Sequence, residues 1–337
     1  MVRCQSGAER NPPPLAAANV SPPMTLAEQI ELACLMEATA RKPGNVHPGA
    51  RFDDLCYDDF VRAAASLGPC LERSHRDGHS LGETILKAVE ATRFITESNA
   101  NLGIILLLAP LTMVPNGTAL HDGVRDVLRS TTVRDAELVY EAIRLARPGG
   151  LGKVDDQDVS AKPTATLRDV MHLAADRDAI AKQYVADFEH VEVSAAGMHG
   201  RWMGLQLHEQ QRAIWPAAPP AGPPLPQWED LVIRMGCDLM AQHPDTLIAR
   251  KCDDKVAAQA AEFAGDVVGQ GWPLQPAGWT AYQKLDAWLR ADGHRRNPGT
   301  TADLIAACLF WAIREGYIQP PPKAEVLDHA RQIAAGN

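Results

Sequence analysis

The chain has 337 residues, of which 46% are hydrophobic and 22% charged, and its formal net charge is −9. This is the composition of a globular protein, and the acidic balance without a basic tract argues against a nucleic-acid partner. The seven cysteines are scattered and include no C-x-x-C pair. That pattern argues against a disulfide framework or a thiolate metal site, and it favours a cytoplasmic location.

Apolar residues recur at helical spacing along most of the chain, whereas alternating strand patterns are nearly absent. We therefore predict an all-α protein built as a single multi-helix bundle. Ser80 is expected to cap the third helix, and Thr300 or Thr301 the helix that follows them. The predicted helices span residues 25–40, 57–67, 82–97, 101–112, 119–129, 133–146, 165–188, 228–242, 253–269, 279–291, 301–316 and 323–334.

Two segments fall outside this pattern. Residues 1–23 are rich in proline and alanine and lack a signal-peptide core, so we predict a disordered tail before a helical domain at 24–335. Residues 214–227 are dominated by proline and are expected to form a loop excursion from the bundle. The apolar run at 102–114 is too short to span a bilayer, so no membrane partner is expected. The oligomeric state stays open, a homo-oligomer included.

Two acids interrupt apolar helix faces. Glu37 continues a stripe that begins at Leu26 and Ile30, and Asp178 falls on the apolar stripe of the predicted 165–188 helix. An ionised carboxylate taken from water without partners is costly, so each acid needs a cation, a metal or hydrogen-bond donors. A structural ion pair would explain either acid alone. Two such acids aimed at one helical interior indicate a polar site inside the bundle.

The segment after Glu37 is a rigid turn followed by an acidic cluster. Lys42 stands in a turn of two prolines and two glycines at 42–50, which suits a phosphate contact, although it equally suits the end of a helix. Carboxylates at 53, 54, 58 and 59 are ligands that Mg²⁺ prefers. We assign Asp53 to function and expect Asp58 or Asp59 to cap the next helix.

Three later segments also carry polar residues. Asn99 and Asn101 precede the most apolar helix, where they suit either an anion site at its N-terminus or simple capping. Asp156 and Asp158 lie close in sequence to the helix of Asp178. Asp303 is expected in the first turn of its helix, where the dipole stabilises a carboxylate.

Taken in chain order, these pieces resemble the triphosphoribosyl-dephospho-coenzyme A synthase family, from about Glu37 to Trp311. The residues that carry the resemblance are Glu37 with KPGNV (42–46), GARFDD (49–54), NANLG (99–103), LGKVDDQDV (151–159), LRDVMHLAADRDAIAKQY (167–184), PDTLIARK (244–251) and NPGTTADLIAACLF (297–310).

The resemblance implies an all-helical, Mg²⁺-dependent transferase that uses ATP as a substrate. Such an enzyme breaks the bond between ribose and adenine and moves the triphosphoribosyl group onto 3′-dephospho-coenzyme A, so its partners are nucleotides and coenzyme-A-like small molecules. The implied catalytic residues are Glu37, Asp53, Asp158, Asp178 and Asp303. The implied nucleotide-binding residues are Lys42, Asn99, Asn101, Arg177 and Thr300. The implied Mg²⁺ ligands are Asp53, Asp156 and Asp158.

Two departures from the family pattern place the chain on a divergent branch. Arg51 stands where members usually have a histidine, and NANLG stands where they typically have Asn-Thr-His-Lys-Gly. Two alternatives therefore stay open. One is a paralogue that uses another acceptor in one-carbon (tetrahydromethanopterin) cofactor biosynthesis, and the other is a non-catalytic relative that binds nucleotide.

Overall fold

A computed structural model describes residues 23–96, 101–148, 156–214 and 225–336, with the backbone alone for 205–214. Within these ranges the chain forms fifteen helices and no strand, which confirms the all-α prediction. The predicted tail, except residue 23, and most of the predicted proline-rich loop lie outside the described residues. The helices are α1 (Leu26–Thr39), α2 (Tyr57–Asp77), α3 (Leu81–Ile95), α4 (Leu102–Thr112), α5 (Leu120–Arg129), α6 (Val133–Ala146), α7 (Leu167–Ala174), α8 (Ala179–Val185), α9 (Glu189–Ile214), α10 (Gln227–Gln242), α11 (Thr246–Lys251), α12 (Asp254–Gly269), α13 (Pro276–Arg290), α14 (Gly299–Arg314) and α15 (Lys323–Ala334).

Two helices lie at the centre because their sequences are apolar on every side. The buried residues of α4 run from Ile104 to Thr112, and those of α14 run from Leu304 to Ile313. Helix α14 packs against α1, α4, α9 and α10. A second apolar cluster joins α10, α12 and α13, and α10 contributes side chains to both clusters. In the described residues no helix is long and apolar enough to cross a membrane.

Several predicted helix limits were wrong, each for a physical reason. The predicted 165–188 helix is broken after Ala174, because Asp178 caps the start of α8. Helix α2 continues through Pro69, well past the predicted end at 67. Neither Thr300 nor Thr301 caps α14, whose N-cap position is Pro298. Helices α9 and α11 were not predicted. Ser80 does cap α3, as expected.

A buried ionic network holds the turn that follows α1. The Arg41 guanidinium donates to both carboxylate oxygens of Glu229, at 2.8 and 3.0 Å, and His329 Nε2 lies 2.6 Å from Oε2. Burial alone would raise the pKa of Glu229, but the hydrogen bonds from His329 and Arg41 lower it to about 2. The network thereby connects α10 and α15 to the turn that leads to Lys42.

This network makes a testable contribution to acid stability. A depressed carboxyl pKa stabilises the fold above the unfolded value near 4.5, and that contribution is lost as pH falls towards 2. The shift corresponds to about 3 kcal/mol. We expect Glu229→Gln to lower the free energy of unfolding by about this amount at pH 7, and to flatten its decline between pH 5 and pH 3, both measured by urea unfolding.

Glu31→Gln is the control, because Glu31 forms a half-exposed pair with Lys323 and such pairs contribute little. Equal acid sensitivity in the wild type and in Glu229→Gln would contradict the role of Glu229.

Candidate active site

One large cavity, of about 980 Å³, opens among α1, α4, α6, α7, α8, α11 and α14. Its wall carries four of the five predicted catalytic acids, Glu37, Asp158, Asp178 and Asp303. It also carries Asp156, Arg177 and Thr300. Acids from distant parts of the chain therefore meet at one place, each through a different local structure.

Glu37 lies on α1 and is almost fully buried, with 3% of its surface exposed. Lys42 Nζ is 3.0 Å from Glu37 Oε1, and it also donates to the carbonyl oxygens of Glu37 and Ala40. Burial raises the pKa of Glu37, and the charge of Lys42 opposes that rise. Lys42 is 2% exposed and is absent from the cavity wall, so its ammonium group lies behind the wall, against Glu37.

The turn after α1 fixes Lys42 in that position. Gly44 has a φ of 75°, and a Cβ on it would stand 2.7 Å from the Cβ of Leu289. Its N–H donates to Asp286 Oδ1 at 2.8 Å, and the Asn45 side chain donates to Asn297 Oδ1 at 2.8 Å. The rigid turn inferred from the sequence is therefore real, but its task is to direct Lys42 inwards.

Asp178 is the N-cap of α8 and not a mid-helix residue as predicted. Its Oδ1 accepts hydrogen bonds from the amides of Ile180 and Ala181, and its Oδ2 accepts one from Arg250 Nη1 at 2.6 Å. The side chain is 27% exposed. Capping and the ion pair together remove most of the penalty that an acid on an apolar stripe would carry.

Asp303 differs because no hydrogen bond or ion pair holds it among the described residues. It lies beyond the first turn of α14, so the predicted dipole stabilisation was wrong. Burial raises the pKa of Asp303 well above its ordinary value, and the negative charges of Glu37, Asp245 and Asp178 raise it further. The shift is therefore towards the protonated form, in a group that lines the cavity.

Gly103, in the first turn of α4, lets Asp303 come so close. A Cβ at residue 103 would overlap with the Asp303 carboxyl group. Asn101 is buried at the N-cap position of α4 but makes no capping bond, and its Oδ1 has no partner in the described part of the chain. Asn101 is not on the cavity wall, and Asn99 lies outside the described residues.

Asp245 sets the position of Thr300 and Asp303. Its Oδ1 accepts from the amides of Leu247 and Ile248, and its Oδ2 accepts from the amide and hydroxyl of Thr301 at 2.7 and 2.8 Å. One buried carboxylate therefore caps α11 and joins it to the start of α14. In the sequence this acid lies in the segment PDTLIARK (244–251), and no role was assigned to it.

Cations on the wall include several that the sequence analysis missed. Arg177 was predicted, whereas Arg147, Arg250 and Lys251 were not assigned. Arg250 pairs with Asp178. The side chains of Arg147, Arg177 and Lys251 have no partner among the described residues. Basic side chains without an acid suit the oxygens of a phosphate chain.

The predicted metal ligands are only partly brought together. Asp156 and Asp158 lie on the wall, and Asp158 Oδ1 accepts from the Ser160 amide and hydroxyl at 2.9 and 2.6 Å. Asp53 is exposed and off the wall, while its neighbour Asp54 lines it and lies 3.0 Å from His294 Nδ1. The described residues contain no group of three or more His, Cys, Asp or Glu side chains placed to hold a metal ion. Asp59 takes a structural role, since its carboxylate accepts from the amide of Cys56 at the start of α2.

Comparison with known proteins identifies the family of this chain. The chain matches the ATP:dephospho-CoA triphosphoribosyl transferase (CitG) family over residues 23–217 and 221–320. It therefore belongs to this family, and the enzyme is a transferase of the triphosphoribosyl-dephospho-coenzyme A synthase kind. This confirms the resemblance found in the sequence.

A crystal structure of a candidate triphosphoribosyl-dephospho-coA synthase from Archaeoglobus fulgidus has a similar fold. The TM-score is 0.54 at 23% identity, over 76% of this chain and 99% of that chain. No curated protein matches the chain.

The contact between Gly103 and Asp303 can be tested by adding one carbon. We expect Gly103→Ala to lower the free energy of unfolding by about 1–3 kcal/mol, because α4 or Asp303 must move. In an Asp303→Ala background the same change should cost much less. Urea unfolding of the four proteins measures this difference.

Gly200→Ala is the matched control, since Gly200 is an exposed position in α9 where a Cβ would meet nothing within 4 Å. An equal cost of Gly103→Ala with and without Asp303 would show that the contact does not exist.

Proposed function

We propose that the enzyme transfers the triphosphoribosyl group of ATP to the 2′-hydroxyl of 3′-dephospho-coenzyme A and releases adenine. The observation that carries this proposal is one cavity whose wall holds three acids in different environments together with cations that have no acid partner among the described residues. The family match supports the same reaction. A cavity of about 980 Å³ is at the upper end of the range for small-molecule sites, which suits two nucleotide-like substrates.

The chemistry requires one bond to break and one to form. The bond between C1′ and the adenine nitrogen breaks, the bond between C1′ and the acceptor oxygen forms, and positive charge develops on the ribose. Adenine must gain a proton and the acceptor hydroxyl must lose one. Such a reaction benefits from a proton donor, a proton acceptor and a carboxylate near C1′.

The three acids fit these tasks. Asp303 is held towards its protonated form, so we assign it as the proton donor to the departing adenine. Asp178, in its ion pair with Arg250, supplies negative charge for the ribosyl centre. Glu37 has a pKa raised by burial, and we assign it as the acceptor of the hydroxyl proton. Arg147, Arg177 and Lys251 are assigned to the triphosphate.

Mg²⁺ is proposed to assist in holding the triphosphate. This ion usually keeps several waters and binds one or two carboxylates together with phosphate oxygens, so it does not need a preformed protein cage. Asp156 and Asp158 on the wall fit that requirement. Bound Mg²⁺ would neutralise part of the phosphate charge. Asp53 is not assigned to the ion, because it lies off the cavity wall.

The test is adenine release from ATP with Mg²⁺, measured with and without 3′-dephospho-coenzyme A. We expect release that depends on the acceptor. Asp303→Asn should lower kcat by about 10²–10⁴-fold, because the amide cannot supply the proton, while the KM for ATP changes little. Asp266→Asn, at an exposed position of α12 away from the cavity, is the matched control and should retain activity.

Three results would count against the proposal. Adenine release only with a different acceptor would favour a paralogue with another substrate. ATP binding without adenine release across several acceptors would favour a non-catalytic nucleotide-binding relative. Normal turnover in Asp303→Asn would remove Asp303 from the chemistry.

A further inference from the structure

A second cavity, of about 360 Å³, lies near the first but shares no lining residue with it. Its wall is built by the segment before α8, by α8, the start of α9, the end of α10, the start of α11 and one face of α14. One hydrogen bond joins the walls of the two cavities: the Thr246 hydroxyl donates to Thr300 Oγ1 at 3.3 Å. Thr246 lines the second cavity and Thr300 lines the first.

Two histidines and a lysine line the second cavity. The rings of His190 and His243 stack with their centroids 4.9 Å apart and their planes 21° apart, and Lys182 lies on the same wall. Burial lowers the pKa of both histidines. The charge of Lys182 lowers both pKa values further, and His190 also lowers that of His243, whereas Glu189 opposes the shift of His190. The shift is towards the neutral form of both rings, in which each ring offers one N–H donor beside the lysine.

The same cavity contains the buried side-chain amide of Gln183. Its side chain is 1% exposed and lines the same cavity. Its Nε2 lies 3.2 Å from the carbonyl oxygen of Ala179, and because a carbonyl only accepts, this contact fixes the orientation of the amide. The same nitrogen donates to His190 Nδ1, at 3.3 Å. Gln183 Oε1 is thus a buried acceptor without a partner among the described residues, and such an atom calls for a donor.

We propose that this cavity binds a small anion that also carries a hydrogen-bond donor. The negative charge is held by Lys182 with the N–H groups of His190 and His243, and the donor satisfies Gln183 Oε1. Asp176 stands on the same wall, so a singly charged anion with a hydroxyl group is favoured over a bare dianion. This site is separate from the proposed transfer reaction and does not depend on it.

Inorganic phosphate and sulfate form a matched pair of probes. At pH 6 phosphate is mainly a monoanion with hydroxyl donors, whereas sulfate is a dianion with acceptors only. We expect phosphate to shift the ring resonances of His190 and His243 in NMR spectra of the whole protein, with an affinity about fivefold higher than that of sulfate. His190→Gln and His243→Gln assign the two resonances.

Three variants connect the shifts to this cavity. Lys182→Gln, at an exposed residue, should weaken phosphate binding several-fold, and Gln183→Met should abolish the preference for phosphate over sulfate. Arg177→Gln changes the wall of the first cavity only and should leave both shifts as they are. If phosphate shifts neither resonance, or if sulfate binds as well as phosphate does, the proposal is wrong.

Discussion

The constraint on which the site depends is that three carboxyl groups share the wall of one cavity within a largely apolar helix bundle. An unpaired charge there would cost several kcal/mol, so each acid must be paired, bonded or uncharged. Glu37 has a lysine, and Asp178 has two backbone amides and an arginine. Asp303 has no partner in the described residues and is held towards its protonated form. The three carboxyl groups therefore differ in their partners, and we expect them to differ in how readily they bind a proton.

The residues that arrange these acids mostly stand behind the cavity wall. Asp245 joins α11 to the start of α14, and Lys42 is committed to Glu37 by a turn fixed from both sides. Glu229 binds that turn to α10 and α15. These interactions stabilise the fold, and the cavity geometry follows from them. Substitutions at such positions should lower the stability of the fold and shift the acids on the cavity wall, without removing a group that takes part in the reaction.

The sequence predicted the parts of this structure that depend on periodicity. The all-α fold, the central α4 and the inward placement of Glu37 follow from apolar spacing alone. Asp178 also lines the cavity, but as a helix cap and not as part of a helix face. Apolar spacing alone cannot distinguish one long helix from two helices separated by a capping aspartate. Helices α9 and α11 were missed because neither carries a strong apolar stripe of adequate length.

The remaining differences between expectation and structure concern the direction in which side chains point, which no local sequence pattern encodes. From the sequence, Lys42 could face a phosphate or a carboxylate, and the tertiary contacts of Gly44 and Asn45 turn it towards Glu37. Asp53 and Asp54 are adjacent acids of which only the second lines the cavity. Arg147, Arg250 and Lys251 were not assigned because arginines and lysines at helix ends are common for other reasons. The resemblance to the family identified these segments as parts of one site, but only the tertiary contacts show which side chains of each segment line the cavity.

The protonation state of Asp303 tests the central claim most directly. A carboxyl ¹³C NMR titration, with the resonance assigned by its loss in Asp303→Asn, measures the pKa of this group in the intact protein. We expect a pKa well above the ordinary aspartate value of 3.8, with a smaller rise when Glu37 is changed to Gln. A pKa at or below 3.8 would contradict the account, because Asp303 would then be an ionised group with a partner that the structure does not show.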